Sequence, residues 1–254
     1  MKIFYFTTTG NSLAVARAIG GELFSLTVAA KSGRVEWADD EAVGVVCPGY
    51  FGELRRPVSE FLDRVALRAP YRFLVLTCGT TPAFAVADRH GWDYVASIRM
   101  VDNYFPMFDV ARQVRDLPSK HVGENLARIV DEVGRRVVRR ERVTFFGRVA
   151  GWWIRLFPLS SDAYSRFYTD EGCNGCATCE SLCPIGNIVM KDGRPEIGER
   201  CLTCGACYHN CPSAAIRYRG EKSRVQYREE RRVKYNPQTH PTHKNLNISH
   251  KPKT

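Results

Sequence analysis

The sequence lacks several features that would assign it to common classes of protein. No stretch of about 18 uncharged apolar residues occurs, so we expect no segment to span a bilayer. The first residues run directly into a Thr- and Gly-rich loop, without an apolar region and a small-residue cleavage site, so we predict no secretory signal. No GxGxxG loop is present, which argues against a dinucleotide-binding Rossmann unit. We therefore expect a cytoplasmic, reducing location, where cysteines at metal-ligand spacing bind metal.

Acidic residues are scarce only at one end of the chain. The 254 residues carry a formal net charge of +10. Residues 1–118 hold 13 basic and 13 acidic side chains, whereas residues 217–254 hold 11 basic and 3 acidic ones. A basic region of this kind favours acidic partners, which include acidic proteins, nucleic acid and anionic lipid.

Cysteine is the residue type that predicts a site. Eight of the ten cysteines form two copies of the pattern C-x2-C-x2-C-x3-C-P, offset by 28 positions. The first copy contains Cys173, Cys176, Cys179 and Cys183 before Pro184, and the second contains Cys201, Cys204, Cys207 and Cys211 before Pro212. This pattern is typical of two 4Fe–4S clusters, in which the last cysteine of each run ligates the other cluster. We therefore predict that one cluster is held by Cys173, Cys176, Cys179 and Cys211, and the other by Cys201, Cys204, Cys207 and Cys183.

A pair of zinc sites is the alternative interpretation of these cysteines. Zinc would use four cysteines, usually as two C-x2-C pairs, and has no need of a third evenly spaced cysteine or of a following proline. His209 lies inside the second run, and with four cysteines available we interpret it as a neighbour of the site rather than a ligand. Residues 171–218 resemble the bacterial two-cluster ferredoxins, which implies a small α+β ferredoxin domain.

The apolar pattern of residues 1–100 predicts strands alternating with helices. The predicted strands are Lys2–Thr7, Leu23–Val28, Ala42–Cys47, Arg72–Cys78 and Asp93–Met100, and the predicted helices are Ser12–Ile19 and Pro57–Leu67. This alternation is typical of a doubly wound α/β domain with a parallel sheet, where ligands bind beyond the carboxyl ends of the strands. One further long helix is predicted over Ser119–Val143.

The loop after the first predicted strand suits a phosphate group. It reads Thr7-Thr8-Thr9-Gly10-Asn11-Ser12 and leads into a helix, so hydroxyl groups, backbone N–H groups and the helix dipole converge there. Helix capping by Thr and Ser is the simpler alternative. The loop resembles the phosphate loop of flavodoxins, Ser/Thr-x-Thr-Gly-x-Ser/Thr, which implies FMN. Thr8 departs from the resemblance, because glycine usually stands there in close relatives.

Two further loops are predicted to flank the flavin ring. After the third strand come Gly49, Tyr50 and Phe51, and an aromatic ring there can stack on the flavin. After the fourth strand come Gly79 and Thr80, whose backbone donors can reach the ring edge. The alternative is that Tyr50 and Phe51 only cover the edge of the core.

These observations divide the chain into four predicted parts. Residues 1–143 are a flavodoxin-like FMN-binding domain, residues 144–170 an aromatic and basic connection, residues 171–218 the two-cluster domain, and residues 219–254 a basic, largely disordered tail. The two halves together resemble flavodoxin–ferredoxin fusion proteins of anaerobic microbes, which implies electron transfer through a flavin and iron–sulfur clusters.

We therefore predict an electron-transfer protein that couples FMN to two 4Fe–4S clusters, between a low-potential donor and an unidentified acceptor. No acid–base pair or nucleophile is evident, so no catalytic residue is assigned and the cofactors would carry the chemistry. The alternative is an oxidoreductase that reduces a quinone or a similar small acceptor directly at the flavin. Steady turnover of such acceptors would distinguish the two.

Redox partner proteins, docking on the basic connection or tail, are the predicted partners. Arg135–Arg142 and the tail, where tyrosines alternate with arginines, also suit single-stranded nucleic acid, which we regard as the weaker interpretation. Trp152, Trp153 and Phe157 beside arginines suit the surface of a membrane, but packing between the domains explains them more simply.

Overall fold

A parallel β-sheet organises the first half of the chain, in a computed structural model that describes residues 1–50, 53–79, 90–140, 166–222 and 224–229. Its five main strands are β1 (Lys2–Tyr5), β2 (Glu22–Ser25), β4 (Ala42–Tyr50), β7 (Tyr71–Cys78) and β8 (Tyr94–Arg99). They pair in the order β2-β1-β4-β7-β8, and every pair is parallel. Counted along the chain, the order of the main strands is 2-1-3-4-5. The predicted α/β domain with a parallel sheet is therefore confirmed.

Helices cover both faces of this sheet. On one face lie α2 (Leu26–Lys31) and α3 (Arg56–Arg64), and on the other lie α1 (Asn11–Ile19) and α5 (Val122–Gly134). The short helix α4 (Val110–Arg115) packs toward the second half of the chain. One core cluster joins Phe4 and Val45 to Phe61 of α3, and a second joins Val46 and Val75 to Ile129 of α5. Burial on both faces explains why the central strands are continuous apolar runs rather than alternating ones.

Short elements complete this half of the molecule. β5 (Glu53–Leu54) folds back antiparallel on the end of β4, and β9 (Arg139–Arg140) lies parallel to β8 at the sheet edge. β3 (Glu36–Ala38) and β6 (Ala66–Arg68) form a separate parallel pair. Within the described ranges, no helix is long and apolar enough to cross a membrane.

The long helix predicted over Ser119–Val143 is wrong. Leu117–Lys120 is a 3-10 turn, and α5 ends at Gly134. Arg136 takes the left-handed conformation (φ 56°), its N–H donates to Val133 O, and the N–H of Val137 donates to Glu132 O. This is a Schellman C-cap, which usually has glycine at the left-handed position. An arginine there gave no sequence signal for the helix end.

The end of the third predicted strand also differs. The strand continues past Cys47 to Tyr50, because Gly49 and Tyr50 pair with Leu54 and Glu53 in a hairpin. The second strand is shorter than predicted, since it ends at Ser25 and Leu26 begins α2.

The second half of the chain is a small domain with two short antiparallel ladders. β10 (Phe167–Thr169) pairs antiparallel with β13 (Ile216–Tyr218), and β11 (Ile188–Lys191) pairs antiparallel with β12 (Arg194–Ile197). Two single-turn helices are α6 (Thr178–Leu182) and α7 (Ala206–Asn210). A third core cluster joins this domain to the first, because Val101, Phe105 and Val110 pack with Tyr208, Ile216 and Tyr218.

The predicted domain boundaries stay predictions, and two segments near them are placed by the structure. Phe167–Thr169 lies inside the predicted connection and forms a strand with the small domain. Tyr227 and Glu229 lie inside the predicted tail and are buried. Residues 141–165 and 230–254 lie outside the described ranges.

Two glycines provide a test of the sheet packing. A Cβ at Gly44, in the central strand β4, would lie 2.0 Å from a ring carbon of Phe73 on the neighbouring strand. We expect Gly44→Ala to destabilise the chain by about 1–3 kcal/mol or more, because the fully buried Phe73 ring would have to shift.

Gly123, in the first turn of α5, is the matched control. A Cβ there meets nothing within 4 Å among the described residues, so Gly123→Ala should leave stability unchanged or raise it by up to about 1 kcal/mol through helix propensity. Urea denaturation of both variants measures the difference. Equal free energies of unfolding would contradict this description of the core.

Candidate metal centre

The two cysteine runs share their left-handed backbone positions. Left-handed residues occur at matching positions of the repeat, which is offset by 28 residues: Gly175 and Thr203, Ala177 and Gly205, Gly186 and Ala214. Ala177 and Gly205 each precede a single-turn helix that carries the third cysteine of its run. A non-glycine residue with positive φ is uncommon, so its recurrence at equivalent positions indicates a loop shape that both runs require.

The structure brings the fourth cysteine of the first run to the second run. Cys183, Cys201, Cys204 and Cys207 line one cavity together, with Pro184, Ile188, Leu202 and Phe167 among its walls. Cys179 is electrostatically coupled to Cys176 of its own run and to Cys211 of the second run. Cys183 thus lies with three cysteines of the second run, while the assignment of all eight thiols to two clusters stays a prediction. No group of three or more His, Cys, Asp or Glu side chains within the described ranges converges at the separations of a single-ion site.

Backbone N–H groups point at the cysteine sulfurs in a repeated pattern. The N–H of Asn187 donates to Cys183 Sγ at 3.1 Å, and the N–H of Ala215, 28 residues later, donates to Cys211 Sγ at 3.2 Å. The N–H of Thr203 donates to Cys201 Sγ at 3.3 Å. Hydrogen bonds to sulfur stabilise negative charge on a metal-bound thiolate and tune the potential of a cluster.

Burial determines how these thiols ionise. It raises the pKa of Cys204 to about 12 and raises the pKa of Cys207 well above its ordinary value. At Cys211 burial also acts upward, but hydrogen bonds from Ser213, Ile216 and Ala215 outweigh it and lower the pKa. The buried thiols would stay protonated at neutral pH unless a metal displaces the protons, so ligand ionisation and metal binding are coupled.

The Thr- and Gly-rich loop follows β1 at the carboxyl edge of the sheet. Gly10 is left-handed (φ 99°) and its N–H donates to Thr7 Oγ1 at 3.0 Å. The first intrahelical bond of α1 runs from the N–H of Ala14 to Gly10 O, and no described side chain caps the helix start. The N–H groups of residues 11–13 therefore remain available as anion donors.

The side chains of this loop already have protein partners. Ser12 Oγ lies 2.8 Å from Thr77 Oγ1, and Asn103 Nδ2 donates to Thr9 Oγ1. Asn11 Nδ2 donates to Val101 O at 3.2 Å. The loop is thus held from within the first domain by two neighbouring strand ends.

The small domain covers the same loop. Asn210 Nδ2 donates to Thr8 O at 2.9 Å, and the N–H of Glu229 donates to Thr9 O at 2.8 Å. The hydroxyl of Tyr227 donates to Asn11 Oδ1 at 2.8 Å and also bonds the Glu229 carboxylate. The loop and the cysteine domain therefore form one continuous hydrogen-bonded interface.

His209 joins the two domains and does not act as a ligand in this arrangement. Its Nδ1 accepts the N–H of Tyr227 at 3.2 Å, and its Nε2 lies 2.8 Å from Asn103 O, so Nε2 carries the proton. Burial lowers the pKa of His209 to about 4, against the opposing effect of the bond to Asn103. The neutral imidazole thus bridges two backbone groups.

The residues predicted to contact a flavin ring are only partly described. The Tyr50 hydroxyl is hydrogen-bonded to Thr8, and the guanidinium carbon of Arg55 lies 4.4 Å from the centroid of the Tyr50 ring. Gly79 packs so closely on Asp102 that a Cβ would lie 2.1 Å from its Oδ2, and Gly79 O accepts from Lys120 Nζ at 3.0 Å. Phe51 and Thr80 lie outside the described residues.

Several residues of this interface were not singled out from the sequence. Asn103, Asn210 and Tyr227 are ordinary polar or aromatic residues in segments far apart in sequence, and no local pattern links them to the loop at residues 7–12. The one available signal was the run Met100–Tyr104 after the fifth strand, to which the strand-end rule for ligand sites applies.

Comparison with known proteins supports an iron–sulfur assignment for the second domain. Residues 172–216 match the family model described as a 4Fe–4S dicluster domain. The chain is 47% identical over 51 residues to the B subunit of the ion-translocating oxidoreductase complex of Methanosarcina acetivorans, and the match covers 20% of this chain and 19% of that protein.

Two other relatives match the same region. The B subunit of the Na(+)-translocating ferredoxin:NAD(+) oxidoreductase complex of Acetobacterium woodii is 40% identical over 47 residues, covering 18% of this chain and 14% of that protein. An uncharacterized ferredoxin of Methanocaldococcus jannaschii is 46% identical over 41 residues, covering 16% of this chain and 27% of that protein. The chain thus spans at most about a quarter of the length of these curated relatives. The predicted ferredoxin-type 4Fe–4S domain is confirmed.

Proposed function

We propose that this chain is an electron-transfer protein that couples FMN to two 4Fe–4S clusters. The observation that carries the proposal is the convergence of Cys183 with Cys201, Cys204 and Cys207 on one cavity, in a domain that also hydrogen-bonds the loop at residues 7–12 through Asn210. Each cluster would supply one-electron chemistry, and the flavin would exchange electrons singly or in pairs.

The cysteine donors suit two cubane clusters. Cys183, Cys201, Cys204 and Cys207 would hold the cluster next to the first domain, and Cys173, Cys176, Cys179 and Cys211 would hold the other. Thiolate sets with N–H···S bonds match the ligand chemistry of ferredoxin clusters, and the exchange of fourth ligands between runs matches their topology.

The first domain offers a place for the FMN phosphate. The main strand order 2-1-3-4-5 is the order of flavodoxin-type doubly wound sheets, whose ligand lies at the carboxyl ends of the strands. The uncapped start of α1 supplies backbone donors, whereas the Thr8 side chain already bonds Tyr50 and Thr7 Oγ1 accepts the Gly10 N–H. The buried carboxylate of Glu229 acts against an anion at this place. At the phosphate end the backbone donors favour an anion and the Glu229 carboxylate opposes one, and the ring end falls partly on Phe51 and Thr80, which lie outside the described residues.

Redox proteins are the partners that this function requires. Two of the relatives are, by name, B subunits of oxidoreductase complexes, one of them with ferredoxin in its name. We propose that an acidic redox protein docks on the basic part of the chain and exchanges electrons with a cluster. A cytoplasmic location stays a prediction.

The direct test is anaerobic purification with quantitation of iron, sulfide and FMN, together with visible and EPR spectra. Two clusters and a bound flavin are expected. Zinc in place of iron would refute the cluster assignment, and loaded clusters without flavin at micromolar FMN would leave a ferredoxin with an α/β domain of another role.

The phosphate loop is tested by Gly10→Ala. Gly10 has φ 99°, a conformation that side chains rarely adopt, so any Cβ shifts the backbone donors that would meet the phosphate. We expect FMN affinity to fall at least about tenfold, measured by fluorescence titration, for a loss of about 1.4 kcal/mol or more.

Gly20→Ala is the matched control for this variant. Gly20 also has positive φ (85°) and lies at the opposite end of the same helix, where a Cβ would meet no described atom within 4 Å. Gly20→Ala therefore introduces the same kind of backbone strain, but at a position far from the loop. An equal loss of FMN affinity in both variants would show that α1 stability, not phosphate binding, is responsible.

A further inference from the structure

The guanidinium group of Arg55 is partly buried. It stands between β5 and α3, and its Nε and Nη2 atoms are buried with no hydrogen-bond partner among the residues that the structure describes. Its guanidinium lies over the ring of Tyr50. A buried charge without an acceptor is costly, so a negative group is expected beside it.

The surroundings of Arg55 indicate where that negative group lies. Arg55 acts electrostatically on Cys201 and Cys204 of the second domain, and on Tyr50 and Tyr104 of the first. Cys201 and Cys204 line the cavity that they share with Cys183 and Cys207. The cation of one domain therefore faces the ligand set of the other, across the interface.

We propose that Arg55 is the counter-ion of the cluster held by Cys183, Cys201, Cys204 and Cys207, and that it raises the reduction potential of that cluster above what its cysteines alone would set. This inference rests on the proposed function. The four thiolates and the reduced cluster carry negative charge, and a guanidinium nearby stabilises the reduced form more than the oxidised one.

The other cluster has different surroundings. Among the described residues, the leading charge interactions of Cys179 are with the thiols of Cys176 and Cys211 and not with a cation. A cation beside one cluster only would make that cluster the easier one to reduce. Electrons entering the domain would then reside on the cluster next to the first domain.

Potentiometric titration of the cluster-loaded chain, followed by visible and EPR spectra, tests the proposal. At a fixed applied potential, Arg55→Gln is expected to lower the ratio of reduced to oxidised form about tenfold or more at one cluster, which is about 59 mV for a one-electron couple. The other cluster should be unchanged. Arg55→Lys keeps the positive charge and should restore most of the ratio.

Arg56→Gln is the matched control. Arg56 is the next residue, is half-exposed and pairs with Glu60 at 3.5 Å, so its loss should shift neither cluster. Equal shifts at both clusters, no shift at either, or loss of FMN with unchanged potentials would each overturn the proposal.

A measurement on the wild-type chain covers the case in which Arg55→Gln does not load its clusters. Pulsed EPR of the reduced protein, labelled with guanidino-15N arginine, should show a 15N coupling that disappears in Arg55→Lys. Absence of the 15N coupling in the wild type would overturn the proposal. Wild-type protein without iron or sulfide is a different result, because it would refute the proposed function itself.

Discussion

Cys211→Ala is expected to abolish the cluster of the first cysteine run and to leave the cluster of the second run in place. Cys183→Ala should have the opposite effect. The reason is the predicted exchange of fourth ligands, which two observations support: Cys183 lines the cavity of Cys201, Cys204 and Cys207, and Cys211 interacts electrostatically with Cys179. Loss of one thiolate leaves an open corner on a cubane, which the surrounding buried apolar side chains cannot fill. Iron and sulfide per chain, with EPR spectra of the reduced protein, would record the loss of one cluster.

Double variants decide which cluster is lost. If the fourth ligands are exchanged, Cys211→Ala with Cys173→Ala removes a single cluster, whereas Cys211→Ala with Cys201→Ala removes both. If each run held its own cluster, the two results would be reversed. The first domain has hydrophobic cores of its own, so its circular dichroism should survive in every variant and serves as the internal control for folding.

Phe105→Ala is expected to have the largest effect on stability of any single change at the interface. The ring is fully buried, stacks on Tyr208 with centroids 4.1 Å apart, and makes edge contacts with Phe167, Tyr218 and His209. Removing a buried phenyl ring costs about 3–5 kcal/mol. Because the ring lies between the two domains, we expect the small domain to unfold at lower denaturant, measured as cluster absorbance during anaerobic urea titration.

Met107→Ala is the control for Phe105→Ala. Met107 lies two residues away in the same turn and is 50% exposed, so its truncation should change the midpoint little. Equal midpoints for the two variants would contradict the assignment of Phe105 as the main contact between the domains.

The sequence was most informative where one short pattern repeats. Two copies of the cysteine spacing predicted a domain whose left-handed residues recur at matching positions in both copies. The buried strands were also predictable, because runs such as Phe73–Leu76 are apolar on both faces. Ligand exchange between the runs followed from the ferredoxin resemblance and stays a prediction until the cysteines are tested.

Other features depended on contacts between distant residues. The end of α5 relies on Arg136 in a conformation that usually selects glycine. The pairing of Glu36–Ala38 with Ala66–Arg68 joins two segments too short to be recognised as strands. The bridge from Asn103 through His209 to Tyr227 unites three segments, and none of them has a local pattern that points to the others.

The return of Tyr227 and Glu229 to the first β–α loop has a consequence for how the molecule is assembled. The residues that cover the loop lie more than two hundred positions after it, so the loop is synthesised well before its cover. Between these two moments the nascent first domain presents an open edge to the cell. The covered form of the loop therefore exists only once residues 227–229 have been made.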